Sequence, residues 1–217
     1  MVDKVAENAL DPEEQLVEVK ENYRGYRVAN VISHLFNPSI TGSAFMITML
    51  LMDGGNLMES FRWLLILLGI NLVPIGILTA YLLRKNKIDT IFIKTRQKRT
   101  LIYLLSSVLT GLSCVIMLIF DAPVIILAAT TVILLINILF MCVNFFWKIS
   151  VHAAYMSLAL CALIVSCGTL AFSSLLLLPL VSWARIKLGF HTPTQVIGGT
   201  VAAVLVFITV VNLFGII

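Results

Sequence analysis

Long apolar runs separated by short polar islands make up most of this chain. Apolar side chains fill residues 28–52, 61–83, 101–120, 123–146, 153–184 and 195–217 with few charged interruptions. A helix needs about 20 such residues to cross roughly 30 Å of hydrocarbon. Runs 61–83, 101–120, 123–146 and 195–217 meet that length, with a tight Asp121-Ala122 turn predicted between two of them. Run 28–52 is long enough but holds Pro38, which predicts a kink or a broken helix starting at Asn37-Pro38. Tyr23, Tyr26 and Arg27 ahead of it read as interfacial anchors.

Run 153–184 is too long for one crossing. Its 32 residues would rise about 48 Å as a single helix. Cys167-Gly168-Thr169 lies at its middle and offers a place to turn. Two short helices of about 25 Å each would then cross a locally thinned bilayer. The expected fold is therefore an all-α, polytopic membrane helical bundle, with seven crossings if the run splits and six if it does not. Residues 1–27 form an acidic N-terminal arm, cytosolic or interfacial, and 28–217 the membrane-embedded helical domain.

Composition and charge agree with that class and add an orientation. The chain is 60% hydrophobic and 12% charged, with a mean hydropathy of +1.04, far from the balance of a soluble domain. The first 22 residues hold seven of the eleven acids and lack the basic and apolar regions of a signal peptide. No Asp or Glu follows Asp121. With seven crossings, fourteen of the fifteen Lys and Arg residues share one side and Arg62 alone lies on the other. The positive-inside rule makes the rich side cytoplasmic. Cys114, Cys142, Cys161 and Cys167 lie within apolar runs without metal-ligand spacing and read as small buried hydrophobes.

The polar islands on the rich side carry the candidate chemistry. One holds Asp89, Lys94, Arg96 and Arg99; a second holds Lys148, Ser150 and His152; a third holds Arg185, Gly189, His191 and Gln195. Guanidinium forks match phosphate oxygens bidentately. Arg96, Arg99 and Arg185 are thus the expected phosphate ligands, with Lys94, Lys148 and the Ser150 hydroxyl as further donors. His34 has no basic neighbour set and reads as an interfacial side chain, Ser182 as structural, and Gly198-Gly199 as a site of close helix packing.

In order and spacing, these islands resemble the three motifs of the type 2 phosphatidic acid phosphatase family, membrane lipid phosphatases related to vanadium haloperoxidases. Arg185, Gly189 and His191 match the third motif, and Ser150 and His152 the second, with Val151 and Ile149 where glycine and proline are usual. Asp89, Arg96 and Arg99 match the first loosely, Lys94 standing in for its lysine. His191 to Val196 is similar to the dolichyl-diphosphatase branch, with Gln195 where other members carry Asp. The resemblance implies that His191 attacks phosphorus to form a phosphohistidine. It implies that His152 protonates the leaving oxygen and then helps activate water. Gln195 would orient His191, with Asp89 a second candidate for that support.

The expected partner is a membrane lipid substrate, a phosphatidate-like phosphomonoester or a polyprenyl diphosphate. No metal, other cofactor or nucleic acid is expected, and the sequence leaves the oligomeric state open. A phosphotransferase is a variant of the same chemistry. A lipid-phosphate binder or transporter without turnover is the alternative of a different class.

Overall fold

The computed structural model describes residues 12–52, 56–85 and 96–217. The elements are α1 (Pro12–Leu35), α2 (Pro38–Leu51), α3 (Leu57–Arg84), α4 (Arg96–Ile119), α5 (Val124–Asn144), α6 (Val151–Cys167), a 3-10 segment (Gly168–Leu176), α7 (Leu177–Lys187) and α8 (Pro193–Leu213). The fold is an all-α bundle. Among the described residues, five stretches are long and apolar enough to cross a membrane: Leu57–Arg84, Arg99–Ile119, Val124–Asn144, Val151–Lys187 and Pro193–Leu213.

The chain breaks at Asn37-Pro38, as its local chemistry requires. The Asn37 side chain caps α2 by accepting from the Ser39 and Ile40 amides at 3.0 and 3.1 Å. Its own amide nitrogen donates back to the His34 carbonyl at 3.0 Å. Proline at the first position of α2 loses no helix bond there. The boundary drawn between residues 27 and 28 falls inside α1, which runs on to Leu35.

The 37-residue stretch Val151–Lys187 folds back on itself. Gly168 has φ 60° and ψ −138°, a conformation reserved almost entirely for glycine. Beyond it, Leu177, Leu178 and Val181 of α7 pack against Met156 and Leu160 of α6. The two helices form an antiparallel hairpin, so the start of α6 and the end of α7 lie at one end of the bundle. Segments α2, α3, α4, α5, α6, α7 and α8 alternate in direction throughout. The 14 residues of α2 rise only about 21 Å, short of the roughly 30 Å hydrocarbon layer.

Lipid tails offer no hydrophobic drive for helix association, so packing and interhelical hydrogen bonds hold such bundles together. Both are present. Ala128, Ala129 and Ile136 of α5, Ala154 and Leu158 of α6, Phe45 of α2 and Phe207 of α8 share one core cluster. Gly42 lets α2 approach α6 closely, since a Cβ there would meet the Tyr155 ring at 2.9 Å. Asn71 of α3 accepts from Thr110 at 2.9 Å and donates to Ser113 at 3.1 Å, tying α3 to α4. Asn137 of α5 donates to Ser106 at 2.8 Å and accepts from Tyr155 at 3.2 Å, linking three helices. Of the four cysteines, Cys114 is buried and Cys161 half-buried, whereas Cys142 and Cys167 are exposed. The expectation that all four are buried fails for those two.

Candidate active site

His191 reaches Arg185 because of how α7 ends. Gly189, at φ 66°, takes the left-handed position of a Schellman turn. Its amide donates to the Ile186 carbonyl at 2.8 Å and the Phe190 amide to Arg185 at 3.1 Å. The His191 amide also donates to the Arg185 carbonyl, at 3.3 Å. The five-residue interval between arginine and histidine is thus one closed turn. Phe190, folded back by it, lies beneath the guanidinium, whose carbon sits 4.3 Å from the ring centroid.

Thr192 and Gln195 open α8 with a capping box. Thr192 accepts from the Gln195 amide at 3.4 Å, and the Thr192 amide donates to Gln195 Oε1 at 3.2 Å. That backbone donor fixes Oε1 as the oxygen of the side-chain amide. His191 Nδ1 lies 3.1 Å from the same oxygen, so Nδ1 carries the proton and Nε2 carries the lone pair. Gln195 therefore does for His191 what an acceptor carboxylate would do, without its charge. Burial, then the cations Arg185 and Lys148, push the His191 pKa down to about 3 against the pull of Gln195. At neutral pH the ring is neutral.

His152 is the second residue of α6 and is buried. The hairpin at Gly168 and the packing of α8 on the start of α6 bring it to the same place. The Ser150 amide donates to the Gln195 carbonyl at 3.1 Å. A Cβ on Gly199 would sit 2.5 Å from the Ser150 carbonyl oxygen. On the far wall, Arg99 donates to Asn144 Oδ1 at 3.2 Å, and Asn144 donates to Thr100 at 3.1 Å. Arg99 also lies 5.9 Å from the Tyr103 ring centroid.

Arg99, Lys148, His152, Arg185 and His191 line one cavity of about 370 Å³, with Asn37, Ser39, Thr79 and Phe190 among its other walls. Five of the expected site residues are therefore gathered from three polypeptide segments. Ser150 differs from expectation. It is fully buried, does not line the cavity, and uses its hydroxyl to cap α6 through the Ala153 amide at 3.4 Å. Gln195 stands behind His191 rather than in the cavity wall. Lys94, Asp89 and the side chain of Arg96 lie outside the described residues. Among the described residues, no three or more His, Cys, Asp or Glu gather in a group that could hold a metal ion.

Residues not singled out in the sequence complete the site. Phe190 sits within the third motif, and its aromatic ring between the arginine and the histidine was the available signal. Asn144 and Ser33 carried none. Arg185 Nη1 donates to the Ser33 hydroxyl, across 152 positions of sequence.

A second cavity of about 190 Å³ adjoins the first on its inner side. The two share Pro38, Ser39, Ile75, Ile102, Tyr103 and Val151 as walls. Met46, Leu67, Leu72 and Ile133 make the inner one mainly apolar. Comparison with protein-family models, with curated proteins and with solved structures finds no match for this chain.

Proposed function

We propose that this chain is an integral-membrane lipid phosphatase that hydrolyses a lipid phosphomonoester or diphosphate through a phosphohistidine. One observation carries it. Three cations and two histidines line a cavity that adjoins an apolar one between the helices. A lipid phosphate has that shape and polarity: an anionic head for Arg99, Lys148 and Arg185, and a tail for the inner chamber. The motif resemblance to the type 2 phosphatidic acid phosphatases supports the same chemistry.

In the proposed reaction the His191 Nε2 lone pair attacks phosphorus as the bond to the leaving oxygen breaks, and His152, in its imidazolium form, gives that oxygen a proton. Water then attacks the phosphohistidine, giving a proton to His152, and inorganic phosphate leaves with His191 restored. Fixed cations stabilise the charge on the equatorial oxygens, and a site arranged before binding needs little reorganisation. The concentration of Lys and Arg at this end favours the cytoplasmic side.

Phosphate release from detergent-solubilised phosphatidate and polyprenyl diphosphate tests the proposal. Wild type should release phosphate with EDTA present, and His191→Ala should release none. Wild-type protein inert on every member of the panel, or His191→Ala with near-normal turnover, would count against it.

A further inference from the structure

Ser33 is fully buried near the C-terminus of α1. Its hydroxyl accepts from Arg185 Nη1. The His152 side chain lies near the backbone of the same residue. One residue thus holds a proposed phosphate ligand and neighbours the proposed leaving-group histidine.

The two contacts on Arg185 divide its freedom between them. Stacking on Phe190 fixes the plane of the guanidinium. The Ser33 hydroxyl fixes its rotation within that plane, because a donor on Nη1 must point at Oγ. A fork fixed in both senses meets a tetrahedral oxyanion without reorganising, which lowers the cost of binding. α1 is held in register for that task by small residues. Ala29 packs on Ala184, Leu188 and Phe190, and Gly25 lies against the Lys187 side chain.

Resting on the phosphatase function proposed above, we propose that Ser33 is a positioning residue, so that the last turns of α1 are part of the site's machinery. Ser33 acts through Arg185 and does not itself meet the substrate. The consequence is specific. Removing the hydroxyl weakens oxyanion binding while the fold stays intact, and threonine, which keeps the hydroxyl, restores it.

The test uses the full-length protein in detergent and inorganic orthovanadate as the probe, with affinity measured by the shift in intrinsic tryptophan fluorescence. Ser33→Ala should weaken vanadate binding about 5- to 30-fold, the effect of losing roughly 1–2 kcal/mol. Ser33→Thr should bind within about 2-fold of wild type, as one retained hydrogen bond predicts. With dioleoyl phosphatidate as substrate, Ser33→Ala should raise KM by a similar factor. Ala29→Leu, which pushes the whole of α1 off α7, should lower kcat as well. Vanadate affinity unchanged in Ser33→Ala overturns the positioning role, as does a Ser33→Thr protein that binds no better than Ser33→Ala. Vanadate binding that depends on the Ser33 hydroxyl, in a protein that turns over no lipid phosphate, leaves the role standing and removes the phosphatase instead.

Discussion

Gln195 and His191 show how a single side chain sets up the chemistry of another. The Thr192 amide fixes the Gln195 oxygen, and that oxygen fixes the tautomer of His191. Gln195→Ala should therefore reduce turnover by less than His191→Ala, since the nitrogen proposed to attack phosphorus remains. Arg185→Ala should cost about 10- to 150-fold in kcat/KM, the loss of a charge-assisted hydrogen bond of roughly 1.5–3 kcal/mol. Turnover of the three purified variants on one lipid phosphate checks that ranking. The same environment has a consequence for stability. The His191 pKa falls from 6.5 to about 3 on folding, so between those values the unfolded chain binds more protons. Stability from the neutral ring is complete above pH 6.5 and declines as pH falls through that window. His191→Gln, which keeps an uncharged polar side chain, should flatten the decline. Thermal midpoints at about pH 7.5 and about pH 4.5, compared with wild type, measure it. The residues of the third motif were legible in the sequence, because arginine and histidine are rare between apolar runs. The support of His191 by Gln195 was anticipated with them, whereas the bond from Arg185 to Ser33 was not. Only the Schellman turn and the capping box determine which atoms face each other.

At the scale of elements, the site depends on how α6, α7 and α8 meet. The contact between Gly199 and Ser150 leaves no room for a side chain, and Ser150 is the cap of the helix that carries His152. Gly199→Ala should cost about 1–3 kcal/mol in overpacking and should lower turnover, by driving the first turn of α8 away from α6. Gly69 is the control. It lies in α3, and a Cβ there meets nothing within 4 Å. Gly69→Ala should leave turnover unchanged and stabilise the helix by about 0.5–1 kcal/mol. Thermal midpoint and phosphate release, measured together on both variants, separate close packing from helix propensity. The break at Asn37-Pro38 and the turn at Gly168 were both foreseen from residue type, since proline and glycine restrict or release the backbone locally. The pairing of Asn71 with Thr110 and Ser113, and of Asn137 with Ser106 and Tyr155, was not. A polar residue within an apolar run indicates that it needs a partner, but not which helix supplies one.

For the molecule as a whole, the alternating helices gather Arg99, Lys148, Arg185 and Lys187 at the end of the bundle that holds the two histidines. Arg62, near the start of α3, lies at the other end. If that asymmetry orients the protein with the site inside, a cysteine at Asn56 should react with an impermeant thiol reagent in intact cells. A cysteine at Thr194 should resist it, both in a background lacking the native four. Labelling of Thr194→Cys and not Asn56→Cys would reverse the orientation, and labelling of both would break the alternating topology. By itself the sequence determined that this is an all-α membrane bundle, where most of its helices begin and end, and which residue types could meet a phosphate. Those properties follow from hydrophobic length, local backbone preference and the cost of charge in hydrocarbon, and each acts over a few tens of residues at most. Only the tertiary structure decided that Ser33 holds Arg185, that Asn144 holds Arg99, and that the cation-lined cavity adjoins an apolar one. These depend on contacts between segments far apart in the chain, and no local signal distinguishes the buried serine that finds an arginine from one that finds only its own helix.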